Sequence, residues 1–142
     1  MKFYKLKYKR FGEYSVLVEW PSKIDESILE NILLFKSEIE KKYINKKVYL
    51  KNSYNSLLIS YEKKINYNTK ISELNNSYKK IGPVKKQDFN TWEIPVCYDN
   101  QFGSDLINLE KNLSMNKDDI IYLHNSKEYR VYNIGFLPGF LY

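Results

Sequence analysis

YSVLVEW, residues Tyr14 to Trp20, is the stretch that decides the fold of the first half of the chain. Its side chains alternate between a more apolar face and a more polar face, and it is rich in Val, Leu and aromatic residues. Both features are typical of a half-buried strand. Upstream, Phe3 to Tyr8 alternates as well, and Gly12 stands between the two runs. The sequence therefore predicts a strand, a turn and a second strand.

An amphipathic helix is predicted directly after this hairpin. Pro21 and Ser22 break the alternation, and Asp25 and Glu26 place negative charge where a helix begins. Apolar residues then recur at spacings of three and four, as expected for one helical face. These residues are Ile28, Ile32, Phe35, Ile39 and Tyr43.

The first half continues with two short strands and a second helix. Val48–Leu50 and Leu57–Tyr61 are strand candidates on either side of a turn-rich segment, and Thr69–Lys80 has one apolar helical face. The order strand, helix, strand, strand, helix predicts a ferredoxin-like α+β domain over residues 1–86.

A domain boundary is predicted near residue 86. The segment Ile81–Lys86 contains the Gly-Pro pair of a linker, and a new strand pattern begins at Phe89–Val96. The second domain would therefore cover residues 87–142.

Two helices and a strand are predicted inside this second region. Gly103–Asp105 has the composition of a helix N-terminus, for a helix that runs to about Asn112. Asn116-x-x-Asp119 resembles a capping box for a short helix that ends near His124. Arg130–Ile134 then returns to a strand pattern.

The composition describes a folded chain of modest size. The 142 residues are 43% hydrophobic and carry a formal charge of +6. The lysines are spread along the chain instead of forming one block, and no apolar run is long enough for a bilayer. We expect a cytoplasmic protein with no nucleic-acid partner and no membrane partner.

One cysteine and one histidine limit the chemistry. Cys97 can form no internal disulfide, and we expect it to be a small apolar residue in a strand. A single histidine excludes a His-rich metal centre, and we predict no metal site.

Blocks in the C-terminal third are similar to one known family. They are Ile94–Tyr98, Phe102–Leu106, Leu123–His124, Tyr129–Tyr132 and Gly135–Phe140. With Phe11–Trp20, they resemble the B subunit of bacterial ATP-dependent 5-oxoprolinase. That family is of the carboxyltransferase subdomain C and D type, and it also includes allophanate hydrolase subunit 1 proteins and an inhibitor of a sporulation histidine kinase.

The resemblance implies a fold for the second region. Residues 87–142 would form the opening part of a cyclophilin-like β-barrel, and only that part, because family members continue well beyond the Gly-Phe-x-Pro-Gly-Phe segment. We therefore expect a fragment or a truncated gene model.

The resemblance also implies an activity. The chain would be the non-ATP-binding subunit of a 5-oxoprolinase that acts with A and C subunits to hydrolyse 5-oxo-L-proline to L-glutamate. No phosphate-binding loop is present, so ATP would be bound through a partner subunit and no cofactor by this chain. The rival interpretations are an inhibitor of a sensor histidine kinase, which needs no catalytic residue, and an inactive remnant.

His124 and Arg130 are the candidate catalytic residues. Histidine transfers protons near neutral pH, and a guanidinium suits a carboxylate or a phosphate. The alternatives are a histidine that caps or packs at a helix end, and an exposed strand arginine paired with Glu128 or another acid.

The candidate substrate-binding residues are Tyr129, Phe136, Pro138 and Gly139. Two glycines and a proline could shape the loop Gly135–Phe140 so that its backbone N–H groups face an anion. A tight β-turn under aromatic side chains needs the same residues, so both interpretations stay open.

Overall fold

The structure is a computed structural model that describes residues 3–44, 47–82, 89–135 and 137–142. The predicted boundary near residue 86 and the candidate Phe136 lie outside the described residues. The chain divides into two compact units. Unit 1 consists of Met1–Asp88 and Val131–Tyr142, and unit 2 is Phe89–Arg130.

Unit 1 contains a four-stranded antiparallel sheet and two helices, which confirms the α+β class. The strands lie in the order β1-β2-β4-β3, so that β4 lies between two strands that a helix connects. The elements are β1 (Lys7–Phe11), β2 (Ser15–Glu19), α1 (Glu26–Lys42), β3 (Val48–Asn52), β4 (Ser56–Tyr61) and α2 (Tyr67–Tyr78).

The first strand begins later than its alternation predicts. Lys7 pairs with Glu19, the last residue of β2, and Pro21 follows shortly after. Residues before Lys7 therefore have no partner in β2, and an alternating pattern without a partner strand does not become a strand.

The core of unit 1 lies between the sheet and the helices. Val16 and Val18 of β2 and Leu57 and Ile59 of β4 have no exposed surface. They pack with the apolar face of α1 and with Leu74 of α2 in one cluster. The spacing of the apolar residues in α1 predicted this face, because residues three and four apart lie on one side of a helix.

A buried amide connects the elements of this core. Asn31 of α1 is 2% exposed, and its Oδ1 accepts hydrogen bonds from Trp20 Nε1 and from Tyr78 Oη, both at 2.8 Å. Tyr78 Oη in turn accepts a hydrogen bond from the backbone N–H of Tyr4 at 3.0 Å. The indole N–H of Trp20 and the hydroxyl of Tyr78 therefore both have hydrogen-bond partners inside the core.

Unit 2 contains the two predicted helices, α3 (Leu106–Leu113) and α4 (Lys117–Asn125). The N-cap half of the predicted capping box is confirmed, because Asn116 Oδ1 accepts from the backbone N–H of Asp119 at 2.8 Å. Asn116 also donates from Nδ2 to the Asp119 carboxylate at 2.7 Å.

The strands predicted in the second region are wrong. Within 89–135 and 137–142 the structure has no strand, only an isolated antiparallel bridge between Ile134 and Leu141. Cys97 is exposed and lies outside any strand. The four-stranded sheet stays open and does not close into a barrel.

The physical reason is the missing partner strand. Phe89–Val96 alternates as a strand does, but it makes no backbone hydrogen bond to another described residue. Alternation predicts which side chains share a face, whereas a strand needs a neighbour with free backbone groups. Among the described residues, no helix combines the length and the apolar character that crossing a membrane requires.

Candidate functional site

The one histidine lies near the C-terminus of α4 and contacts a tyrosine far away in sequence. His124 Nδ1 and Tyr98 Oη form a hydrogen bond, and Tyr98 Oη donates to Asn125 Oδ1 at 2.9 Å. The Tyr98 ring meets the His124 ring edge to face, with centroids 5.9 Å apart. His124 is exposed, so its ring can be reached from solvent.

These bonds select one tautomer of the histidine. A phenol has a single proton, and here it is directed to Asn125 Oδ1, so Tyr98 Oη is left as the acceptor for His124. The proton of a neutral imidazole then resides on Nδ1, and Nε2 keeps its lone pair. An exposed Nε2 with a lone pair can accept a proton, which is the chemistry expected of a general base.

The aromatic cluster extends to the next candidate. The Tyr129 ring lies 5.6 Å from the His124 ring at an interplanar angle of 43°. The structure thus brings Tyr98 and Tyr129 together around His124. We call Tyr98, His124, Asn125 and Tyr129 the histidine cluster.

Arg130 packs against a different ring. Its guanidinium carbon lies 4.3 Å from the centroid of the Phe89 ring, a cation–π geometry. Arg130 lies outside any strand, so the alternative of an exposed strand arginine is wrong in its backbone assignment. Among the described residues, no group of three His, Cys, Asp or Glu side chains could hold a metal ion.

The Pro-Gly segment belongs to unit 1 and forms a tight turn. Phe140 N–H donates to Leu137 O at 3.0 Å, with Pro138 and Gly139 between them. Gly139 has φ +86°, which is the conformation a type II turn needs after a proline. The segment therefore has the geometry of a β-turn, one of the two predicted alternatives, and Gly139 is exposed.

The turn closes a short hairpin that ends in Tyr142. Tyr132 N–H donates to Tyr142 O at 2.7 Å, and Tyr142 N–H donates to Asn133 O at 3.0 Å. Asn52 of β3 donates from Nδ2 to Tyr132 O at 3.2 Å. These bonds hold the segment 131–142 against the edge strand of the sheet.

Two adjoining grooves lie between this hairpin and the rest of unit 1. The smaller has a volume of about 390 Å³ and is lined by α1, β3 and residues 131–134. The larger has a volume of about 660 Å³, and Tyr54, Tyr132 and Tyr142 are among its lining residues. Lys51 and Asn52 line both.

Lys70 of α2 forms an ion pair within unit 1. Lys70 donates to Glu73 at 2.7 Å and to Tyr43 Oη at 3.3 Å. Burial by itself would lower the pKa of the Lys70 ammonium, but these hydrogen bonds outweigh burial and the pKa is raised. A lysine held in its charged form is a poor nucleophile, so this pair is structural.

The sequence did not identify several residues of the histidine cluster and of the grooves of unit 1. Tyr98 lies in a block that carries the family resemblance, and that was its only signal, because no local pattern shows a contact between residues 26 positions apart. Lys51 and Tyr54 had no signal, since they reach the groove through the pairing of strands. Tyr132 and Tyr142 flank the Gly-Pro-Gly segment, and that proximity could have identified them.

Comparisons with known proteins relate the chain to one family. The family described as "Carboxyltransferase domain, subdomain C and D" matches residues 6–142. A segment of 48 residues is 46% identical to the 5-oxoprolinase B subunit of Bacillus subtilis (strain 168), and it covers 34% of this chain and 20% of that protein. A segment of 50 residues is 40% identical to the 5-oxoprolinase B subunit of Escherichia coli O157:H7, and it covers 35% of this chain and 23% of that protein.

A solved structure supports the fold. The crystal structure of Kluyveromyces lactis urea carboxylase superposes with a TM-score of 0.66 at 18% identity, over 93% of this chain and 14% of that chain. This likeness concerns the fold alone. The matched segments span about a fifth of each curated relative.

Proposed function

Because the chain belongs to the carboxyltransferase domain, subdomain C and D family, as its motifs predict, we propose that it is a subunit of an ATP-dependent 5-oxoprolinase. The observation that carries this proposal is the segment shared with two 5-oxoprolinase B subunits. The subunit would act with A and C subunits to convert 5-oxo-L-proline to L-glutamate. ATP would be bound by a partner subunit. A ferredoxin-like arrangement of unit 1 is supported by the position of β4 between β2 and β3, which α1 connects.

The reaction needs groups of the kind that unit 2 holds. Opening the lactam breaks the ring C–N bond, adds the oxygen of water to the carbonyl carbon and delivers a proton to the leaving nitrogen. In this proposal, His124 Nε2 takes a proton from the attacking water and then delivers it to the leaving nitrogen, and Tyr98 and Asn125 are positioning residues that fix the tautomer of His124. Tyr129 supplies an aromatic wall beside the imidazole.

The substrate carboxylate needs a cation, and Arg130 follows Tyr129 in the chain. The guanidinium lies over the Phe89 ring, and a guanidinium is the cation that binds a carboxylate through paired N–H groups. We assign Arg130 to the substrate carboxylate.

A second candidate function rests on the surface of unit 2. Trp92 is 79% exposed and Tyr122 is 71% exposed, and Ile94 and Phe102 are also exposed. Large apolar side chains of this kind indicate association with another protein. The partner could be the other subunits, or a sensor histidine kinase that the chain inhibits.

The test is reconstitution with candidate A and C subunits from the same genome. We expect ATP-dependent release of glutamate from 5-oxoproline only when all three chains are present. His124→Gln should lower kcat by about a hundredfold or more, because it removes the proton-transfer group. Lys63→Gln, an exposed change in unit 1, is the matched control and should leave kcat unchanged.

The positioning role of Tyr98 has its own readout. Tyr98→Phe removes the acceptor for Nδ1, so the imidazole of the free chain should become a mixture of tautomers in ¹⁵N spectra, and kcat should fall while KM stays near the wild-type value. Activity that survives in His124→Gln would contradict the assigned role. A complex that forms with a histidine kinase, together with no complex with the A and C subunits, would favour the second candidate, and no complex with either would favour the inactive remnant.

A further inference from the structure

One face of the unit 1 sheet lies opposite its two helices. Val16 and Val18 of β2 pack with α1 and α2, and successive side chains of a strand point to opposite sides, so Leu17 points away from the helices. Leu58 of β4 pairs with Leu17, and cross-strand partners share a face. We call this side of β1 to β4 the open face.

Two exposed aromatic rings stand at opposite edges of the open face. Phe11 of β1 pairs with Ser15 of β2, which pairs with Ser60 of β4. Ser60 pairs in turn with Tyr49 of β3, so these four side chains form one row across the sheet. Phe11 is 57% exposed and Tyr49 is 68% exposed. Neighbouring strands are about 4.8 Å apart, so about 14 Å separates the strands that carry the two rings.

The neighbouring rows of the open face carry lysines. Lys9 of β1 and Lys51 of β3 stand at the two ends of the row next to the aromatic one, and Lys7 lies one row further along β1. Within the described part of the chain, neither Lys7 nor Lys51 forms an ion pair, whereas Lys9 donates to Glu19 at 2.9 Å. Cations therefore flank the path between the two rings.

Two acidic groups lie near these lysines. Glu19 is on the open face and is bound by Lys9. The carboxyl group of Tyr142, the last residue of the sequence, accepts from Tyr132 N–H and borders the groove that Lys51 also lines. A ligand with one negative charge would gain little against these acids. A chain of phosphates contacts several lysines at once and gains from each of them.

We propose that the open face binds single-stranded nucleic acid. Bases stack on Phe11 and Tyr49, and the phosphates contact the three lysines. Stacking of this kind tolerates any sequence, because every base has a π face. The lysines are spread along the sequence, which predicted no nucleic-acid partner, but the pairing of the strands gathers three of them on one side of the sheet. This assignment stands on unit 1 alone and does not depend on the proposed enzymatic reaction.

The test is fluorescence anisotropy of a short oligouridylate and a short oligothymidylate, both labelled with fluorescein and titrated with the full chain. We expect binding that weakens about tenfold between about 50 mM and about 200 mM salt, as two or three phosphate contacts require. A duplex of the same length should bind more weakly, because its bases are already stacked on one another. Binding of the uridylate alone would identify the ligand as RNA, and binding of the thymidylate alone would identify it as DNA.

Variants of the open face separate stacking from charge. Phe11→Ala and Tyr49→Ala should each weaken binding about tenfold, because each removes a ring on which a base stacks. Tyr49→Phe keeps the ring and should bind as the wild type does. Lys51→Gln should weaken binding and lower its salt dependence. Lys80→Gln, an exposed lysine that follows α2, is the matched control and should change neither.

Four outcomes would overturn the proposal. The oligonucleotides could fail to bind, the two alanine variants could bind as the wild type does, Tyr49→Phe could bind as weakly as Tyr49→Ala, or Lys80→Gln could weaken binding as much as Lys51→Gln. An acidic peptide that binds where the oligonucleotides do not would assign the open face to a protein partner instead. Phe11 and Tyr49 lie outside the core, so their replacement should leave the far-UV circular dichroism spectrum unchanged.

Discussion

At the scale of single residues, Asn31 shows how one polar side chain can organise a core. Its Oδ1 satisfies the indole N–H of Trp20 and the hydroxyl of Tyr78, which come from different parts of unit 1. Each of these donors is buried among apolar side chains, where an unmet hydrogen bond is costly. The Asn31 amide therefore fixes the positions of Trp20 and Tyr78 relative to α1.

Replacement of this amide should destabilise unit 1. Asn31→Ala leaves two buried donors without an acceptor, and we expect the free energy of unfolding to fall by about 2–4 kcal/mol. Urea denaturation followed by far-UV circular dichroism measures this change. Asn68→Ala, an exposed asparagine on α2, is the control and should change stability by less than about 0.5 kcal/mol. Equal effects of the two changes would show that the hydrogen bonds of Asn31 do not stabilise unit 1.

At the scale of elements, the start of α1 is fixed by a carboxylate that local hydrogen bonds keep ionised. Asp25 accepts from the hydroxyl of Ser27 at 2.6 Å, from Lys23 Nζ at 2.9 Å and from the backbone N–H of Ser27 at 2.9 Å. The hydrogen bond from the Ser27 hydroxyl is the largest cause, followed by the one from Lys23, and together they hold the pKa of this carboxyl well below its usual range. The cap is therefore charged at every pH at which the protein is ordinarily studied.

The cap gives α1 a defined dependence on pH. A folded-state pKa below the unfolded value means that the stabilisation is complete above about pH 4, the usual range of an unfolded aspartate, and declines as the pH falls through the folded value. Asp25→Ala should lower stability at pH 7, and its difference from the wild type should shrink as the solution is acidified. Urea denaturation of both proteins at several pH values measures this.

Asp25→Asn separates charge from capping. Asparagine is as good a cap as aspartate, so this variant should keep most of the stability at pH 7 and lose the pH dependence that Asp25 contributes. A wild-type minus Asp25→Ala difference that stays constant with pH would contradict the linkage.

At the scale of the whole molecule, the two units bury very different amounts of apolar surface. Unit 1 has a continuous core from both helices and the sheet. Among the described residues of unit 2, Leu106 is the one large apolar side chain that is buried. Because buried apolar area is the main source of stability, unit 2 should be the weaker unit in the isolated chain.

Hydrogen exchange tests this difference directly. We expect amides of α1 and β4 to exchange at least about tenfold more slowly than amides of α3 and α4, which open locally at lower cost. Addition of the A and C subunits should slow exchange in unit 2 if its exposed apolar side chains form the interface. Uniform protection across both units in the isolated chain would contradict the weaker-unit prediction.

Local patterns predicted the elements better than the site. The helices α1 to α4 and the strands β2 to β4 were predicted close to their observed bounds, because caps, spacing and alternation act within a few residues. His124 and Tyr129 could be named as candidates, yet Tyr98, the hydrogen-bond partner of His124, could not, since it lies 26 residues before the histidine. The strands predicted after residue 89 were wrong because a strand must pair with a neighbouring strand. Alternation along one segment does not show whether such a neighbour exists.

The sequence by itself determined the family, the α+β class, the Asn116 cap of α4 and which faces of the helices are apolar. These follow from the chemistry and spacing of neighbouring residues, which the chain carries in any conformation. The cap predicted at Gly103–Asp105 is different, because Asp105 makes no side-chain hydrogen bond to the start of α3. Only the tertiary structure decided the order of the strands, the contact of Tyr98 with His124, and the groove between Lys51 and Tyr142. Those features join residues that are far apart in the chain, and their geometry depends on how the elements pack to bury apolar surface and satisfy backbone groups.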